Sequence, residues 1–308
     1  MTSRFADLII VADQNSSDES VLICGCYPKV VVIANGSESY DEAARQNLLI
    51  DEARKRVPGP KILLALDADE ILAANAMGTP GWRSMLKAAP GTVLCFEKPD
   101  LYPTPRTCIR YDTAWPLGYI DDGIQHSACS IHSIRIPVPP TSRRLVINDI
   151  KILHYGQLRR DSVRSRQRLY SAIERVNKRN SLLSRRLRYR PNTASFPTHR
   201  AEPCPESWFA EWERQGIDMS TLSHEPFYSH DFELLRLFKR YGCRRFWREP
   251  VWDCDWLACN QEAGRRDLQC VEPSDLKRPW RLLLLMLSLI DLAYDTYRRI
   301  RFAFPREA

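Results

Sequence analysis

Three carboxylates close the run KILLALDADEIL, Lys61 to Leu72: Asp67 and Asp69 flank Ala68, and Glu70 follows at once. In an extended chain, residues two apart point the same way, so Asp67 and Asp69 can face one ion while Ala68 points back. With unperturbed pKa values of about 3.9 both are ionised near neutral pH, and like charges this close repel unless a cation lies between them. Oxygen donors of this kind favour Mg2+ or Mn2+, which leave coordination positions for a substrate's phosphates. A loop of solvated acids leading into the next helix has the same composition, and an isolated D-x-D says no more than that.

Other residues stand where a nucleotide diphosphate would want them. Asp13 leaves the apolar run of IIVADQNSSDES, where a carboxylate can accept from a base imide or a ribose hydroxyl, whereas Ser16, Ser17 and Asp18 read as helix capping. Arg45 lies on the helical stretch before the acidic strand and can reach a diphosphate as a charge-assisted donor; a solvated arginine is the ordinary alternative. His154 ends IKILHYG much as Asp67 ends its strand, and offers the imidazole that manganese accepts.

These groups need strands to carry them. DLIIVA (7–12), KVVVIA (29–34) and KILLAL (61–66) are continuous apolar runs, as in strands buried on both faces. Between them SSDESVLIC (16–24) and SYDEAARQNLLIDEARKRV (39–57) have helical spacing, the second stopped by Pro58 and Gly59. Strand alternating with helix predicts a parallel sheet whose ligands sit at the carboxyl ends of its strands. Past Gly91 the strands TVLCFE (92–97), SIHSIRI (130–136) and RLVINDIKILHYG (144–156) are separated by proline-rich connections, which predicts that the sheet becomes mixed. After Gly156 the pattern turns helical, through PESWFAEWERQ and HDFELLRLFKRYG to a final PWRLLLLMLSLIDLAYDTYRRIRFAF. The expected organisation is an α/β core over residues 1–157 and a helical, basic extension over 158–308.

Taken in order and spacing, IIVADQNSSDES, EAARQNLLIDEA, ILLALDADEIL and IKILHYG resemble the glycosyltransferase family 2 pattern of the GT-A fold, over roughly residues 5–175. The resemblance implies a nucleotide-diphosphosugar transferase fold with a mixed, mostly parallel sheet. It also implies transfer of a sugar, with inversion, from a nucleotide-sugar donor, in the first instance a UDP-sugar, with a divalent metal on the diphosphate. Carried over by position, Asp13 binds the nucleobase, Arg45 lies near the nucleotide, Asp67 and Asp69 serve ribose and metal, and His154 is a further metal ligand. The family places acceptor-side residues in the stretch holding Asp121 and Asp122 of GYIDDGIQH, as the base, and His132; a surface turn is an equal reading of DDG. Family members also begin with one more strand and a polar loop. This chain opens at the counterpart of their second strand, which is expected to mean either a longer natural protein or another segment in that place.

Composition bounds the rest. With 308 residues, 44% hydrophobic and 27% charged, the chain suits one large domain or a core plus an extension. The opening residues lack a secretory pattern, which predicts a cytoplasmic protein, and ten scattered cysteines without zinc-site spacing predict reduced, mostly buried thiols. The net charge of +7 is concentrated: Arg159 to Arg190 holds eleven arginines and one lysine against Asp161 and Glu174. A solvated helix face is the ordinary explanation; an anionic membrane surface or the anionic donor and acceptor are the alternatives. The scarcity of interleaved aromatics argues against nucleic acid. The final helix is too short and too acidic to span; it suits closing the C-terminal core, or a peripheral position on the inner face of a membrane, where a lipid-linked acceptor would lie, though a glycan or small molecule serves equally. Two rival functions share the D-x-D: a haloacid-dehalogenase-like phosphatase with Asp67 as nucleophile and Asp69 as acid, and a non-catalytic scaffold that keeps the fold.

Overall fold

The computed structural model describes residues 1–16, 18–36, 40–130, 132–191 and 201–303. In chain order it opens with β1 (Ile9–Asp13), α1 (Ser20–Gly25), β2 (Val30–Ala34) and α2 (Glu42–Arg56). α2 starts at Asp41, whose Oδ1 accepts from the N–H groups of Ala43 and Ala44 at 2.9 and 3.2 Å, satisfying donors that the first turn leaves free. Next come β3 (Ile62–Leu64), β4 (Glu70–Leu72), and α3 (Pro80–Leu86), whose N-terminus carries the Thr79 cap and Pro80. Then follow β5 (Val93–Glu97), β6 (Asp100–Leu101), β7 (Thr107–Ile109), β8 (Ala114–Ile120) and β9 (Arg144–His154). The remainder is α4 (Arg160–Val176), α5 (Leu182–Tyr189), β10 (Glu202–Pro203), α6 (Ala210–Arg214), α7 (Ser229–Tyr241), α8 (Trp256–Arg265) and α9 (Arg281–Ala303). The described part of Ser130–Ile136, expected as a strand, forms turns and bends instead, with φ of 58° at His132 and the prolines at 137, 139 and 140 close behind.

Two compact units result. The first runs to Leu158 and takes back residues 201–222 later in the chain; the second is built from α4, α5 and the helices after Leu222. Unit one is α/β, with a mixed sheet where a mostly parallel one was expected. Its order is β10-β7-β6-β9-β5-β8-β3, with β4 added against β9. Only β5 with β9 and β6 with β9 are parallel pairs in this sheet. β1 and β2 are parallel, as the strand-helix-strand reading expected, but they form a separate two-stranded sheet; β3 does not join them and pairs antiparallel with β8. That pairing gives β3 a buried neighbour in Leu117, Tyr119 and Ile120, and closes at one end with Lys61 Nζ on Asp121 at 3.2 Å. β1 is only half-buried throughout, as are Val30 to Ile33 of β2, despite sequences suited to burial on both faces.

The core of unit one gathers Leu72, Leu94, Phe96, Leu117, Ile150 and Ile152 between the sheet and α3. α3 lies close over β9: a Cβ on Gly81 would stand 2.0 Å from Asp149 Oδ1, and the Gly81 N–H donates to the other carboxylate oxygen at 2.8 Å. Residues 201–222 cover the other side, where Trp212, buried with Trp208, Phe209 and Met219, donates its indole N–H to the Leu72 carbonyl at 2.8 Å.

Unit two is helical, and its arginines are turned inward. Arg164 pairs with Asp253 at 2.6 Å, Arg168 with Asp231 at 2.8 Å, Arg185 with Glu249 at 2.7 Å and Arg186 with Asp291 at 2.6 Å. The arginine-rich segment is thus in large part an internal counter-charge to acids far along the chain, where a solvated face was expected. Phe238 stacks on Trp252 and meets Trp256 edge-on, with ring centroids at 5.6 and 5.0 Å. All ten cysteines are free thiols, four of them buried rather than most. Among the described residues, no helix is long and apolar enough to cross a membrane.

Arg185→Gln leaves Glu249 buried without its closest cation and is expected to cost about 3–5 kcal/mol in urea unfolding. Arg179→Gln, at an exposed position in the same basic segment, is expected to cost no more than about 0.5 kcal/mol.

Candidate functional site

β8 runs antiparallel to both β3 and β5, and β9 parallel to β5, so β3, β5 and β9 point the same way. Their carboxyl ends share one edge of the sheet, and that edge carries Asp67, Asp69 and Glu70, then Lys98 and Asp100, then His154. β4 holds the acidic end in place, since Glu70 pairs with His154 across the β4 and β9 ladder.

The centre of this edge is Glu70. Its side chain is fully buried and takes Lys98 Nζ at 2.9 Å and Arg135 Nη1 at 2.5 Å, while Oε2 also accepts from the Asp67 N–H at 3.0 Å. Burial alone would raise its pKa, but the hydrogen bond and charge of Arg135, the charge of Lys98 and the Asp67 N–H overcome it and bring it down to about 2. Arg135 uses Nη2 to reach Asp67 Oδ2 at 2.5 Å. The Asp67 carboxylate keeps 46% of its side chain open to solvent, yet protein crowds its base. That burial pushes its pKa above the ordinary value, Glu70 and Asp69 add to the rise, and Arg135 and Arg45 pull the other way. The charge of Arg45 is therefore felt at Asp67, across the gap between α2 and the strand end.

Asp69 turns elsewhere. Its Oδ2 lies 3.7 Å from His154 Nε2, while Nδ1 of the same ring is bonded to Asp100 Oδ1. Asp100 in turn accepts from the Tyr111 hydroxyl at 2.7 Å, which, with burial, raises the tyrosine's pKa. The Asp100 carboxylate on Nδ1 holds the ring in place with Nε2 turned toward Asp69, the kind of support that orients a metal-bound imidazole. An ion held here would take its protein bonds from Asp69 Oδ2 and His154 Nε2. Gly156 makes room for this: a Cβ there would be 2.6 Å from His154 Nε2 and 2.7 Å from Asp69 Oδ2. Among the described residues no three His, Cys, Asp or Glu side chains converge on one metal position. Asp69 and His154 are the two side chains at this edge that could hold a divalent ion, whose other positions would be left to water or substrate oxygens.

The sequence-derived residues are thus divided. Asp69 and His154 face each other; Asp67 stands beside them but is held by Arg135, so the two aspartates do not converge on one partner. Asp13 belongs to the two-stranded sheet, where its carboxylate accepts from the Ser16 N–H at 3.3 Å and shapes the turn before α1. Asp18 accepts from the Ser20 N–H at 3.0 Å, and Ser17 lies outside the described residues. Asp121 and Asp122 follow the carboxyl end of β8, which is the opposite edge of the sheet because β8 runs against β3. Asp121 is buried under Arg54 at 2.8 Å and Lys61, whose hydrogen bonds outweigh burial and lower its pKa; Asp122 accepts from the Tyr119 hydroxyl at 2.7 Å. As bases they would act from the far side of the sheet from Asp69. His132 is exposed in the connection between β8 and β9, three residues before Arg135.

Lys98, Asp100, Tyr111 and Arg135 were not found in the sequence. Lys98 and Asp100 follow the strand TVLCFE by one and three residues, the same strand-end position that singled out Asp67 and His154. Arg135 carried no signal, since nothing local says where a proline-flanked loop will lie. Comparison of the chain with protein-family models, curated proteins and solved structures finds no match.

The depressed pKa of Glu70 makes the edge acid-sensitive. The stabilisation is complete above about pH 4.5, the ordinary value, and is lost as pH falls through the folded value of about 2. Glu70→Gln is expected to lose roughly 3 kcal/mol at neutral pH, at about 1.4 kcal/mol per pKa unit. In urea titrations across pH the variant and parent should converge toward the acid end; a constant difference would contradict this.

Proposed function

We propose that unit one is a GT-A-type nucleotide-diphosphosugar transferase core, which takes a divalent ion, Mn2+ or Mg2+, between Asp69 and His154. The observation that carries the reading is the facing of Asp69 Oδ2 and His154 Nε2 at 3.7 Å, at the carboxyl ends of the strands, with Asp100 fixing the imidazole. Such an ion, when bound, neutralises negative charge on a departing diphosphate.

The chain's own residues supply the rest. Asp100 and Tyr111 hold the His154 ring in one orientation, and Gly156 keeps the approach to it clear. Arg135 and Lys98, fixed by Glu70, offset part of the negative charge of the acidic cluster and so lessen its repulsion of an anionic donor. Arg45 adds to that field from α2. Asp67 stands between Arg135 and solvent, placed to accept from a ribose hydroxyl, and Asp13 remains the proposed contact for the base. Sugar is transferred with inversion to an acceptor hydroxyl on a glycan, a lipid-linked molecule or a small molecule. Deprotonation of that hydroxyl falls to a base on this edge of the sheet, because Asp121 and Asp122 lie across it.

Mn2+ titrated into the full chain and followed by the loss of its free-ion paramagnetic resonance signal is expected to show one site, tightened by UDP. Asp69→Asn and His154→Ala should abolish it. Asp100→Asn should weaken it about 10–100-fold with the fold intact by circular dichroism. Unchanged Mn2+ binding in both Asp69→Asn and His154→Ala would sink the reading.

A further inference from the structure

α9 is built the wrong way round for a helix whose apolar face closes a core. Its inward side carries Leu287, which is buried, and Asp291, which is tied to Arg186 at 2.6 Å. Leu282, Leu285, Met286, Leu289 and Leu292 follow one another at helical spacing along the opposite side, each 55 to 68% exposed. Trp280, just before the helix, is 72% exposed and stands edge-tilted on Trp247, with ring centroids at 5.7 Å.

The charge next to this stripe has one sign. Trp280, Leu282 and Met286 line a cavity of about 610 Å³ that is also lined by Arg175, Arg185, Arg244, Arg245 and Arg248, with Glu249 the one acid among the lining residues. Glu249 is already taken by Arg185. Arg244, Arg245 and Arg248 are exposed, on and just after the 3-10 turn Cys243–Phe246 that leads away from α7. These are not the arginines of α4 and α5 that neutralise buried acids; their charge faces outward beside exposed leucines.

We propose that this face of unit two docks on an anionic phospholipid surface, with the stripe of α9 and Trp280 among the acyl chains and Arg244, Arg245 and Arg248 at the phosphates. Two requirements of an interfacial helix meet here: apolar side chains left exposed among the described residues, and guanidinium groups at their border that match phosphate charge and geometry. Protein partners of ordinary composition satisfy the first without needing the second. The inference concerns unit two and stands apart from the reading of unit one.

Sedimentation of the full chain with vesicles tests it, using phosphatidylcholine alone and phosphatidylcholine with about a third phosphatidylglycerol. Binding to the mixed vesicles, weak binding to the neutral ones and release by salt are expected. Arg244→Ser with Arg248→Ser should lower partitioning roughly fivefold for each arginine removed. Leu285→Ser with Met286→Ser should lower it about tenfold or more. All four positions are exposed, so melting curves should match the parent and separate lost docking from lost folding. Failure to bind either vesicle overturns the proposal, as does equal binding by parent and arginine variant. A dimer seen by sedimentation velocity and dissolved by Met286→Glu, without vesicle binding, would assign the stripe to a second copy and overturn it too.

Discussion

A carboxylate with no access to water must be held by cations, and in unit one that demand is met at Glu70. Its two oxygens collect Lys98 from the end of β5, Arg135 from the connection into β9 and the backbone of Asp67 leaving β3. Three segments distant in sequence are drawn to one edge by a single buried charge. Removing the charge would leave the Lys98 ammonium without its carboxylate and the Arg135 guanidinium with Asp67 as its remaining carboxylate, both in poorly solvated positions. Asp67, Asp69 and His154 take their places on the frame this makes.

The same edge explains what the sequence could tell and where it stopped. Runs such as IIVA, VVVI and VLCFE announce strands, and the helical spacing of EAARQNLLIDEARKR announces a helix, because those signals are local. The partner of a strand is not local. KILLAL follows a helix as a third parallel strand should, yet β3 takes β8, whose Leu117, Tyr119 and Ile120 offer it a buried face. That one pairing also sends Asp121 and Asp122 to the edge opposite Asp69, so the choice of strand partner decides which acids share a side of the sheet. His154 and Asp69 were legible because both end strands of the same direction. Arg135 was not, since its place is set by Glu70 and not by its neighbours in sequence.

Unit two shows charge read at two levels. Along the chain, Arg159 to Arg190 is the outstanding feature, and composition alone makes it a surface. In the fold, Arg164, Arg168, Arg185 and Arg186 are spent on Asp253, Asp231, Glu249 and Asp291. The outward-facing positive charge moves to Arg244, Arg245 and Arg248, a cluster confined to the five residues RRFWR and overshadowed in the sequence by the longer arginine-rich segment. Density of charge in sequence and availability of charge in space are separate quantities, and a buried acid converts one into the other.

β1 and β2 carry a different consequence. Among the described residues they pair only with each other, and IIVA and VVVI are half-buried, free of charge and proline, and rich in β-branched side chains. Each strand presents an outer row of backbone groups without a ladder partner, on a segment that stacks readily with copies of itself. Those rows are places where an extended strand from another chain could add by backbone hydrogen bonding, which the inner strands of the larger sheet do not offer.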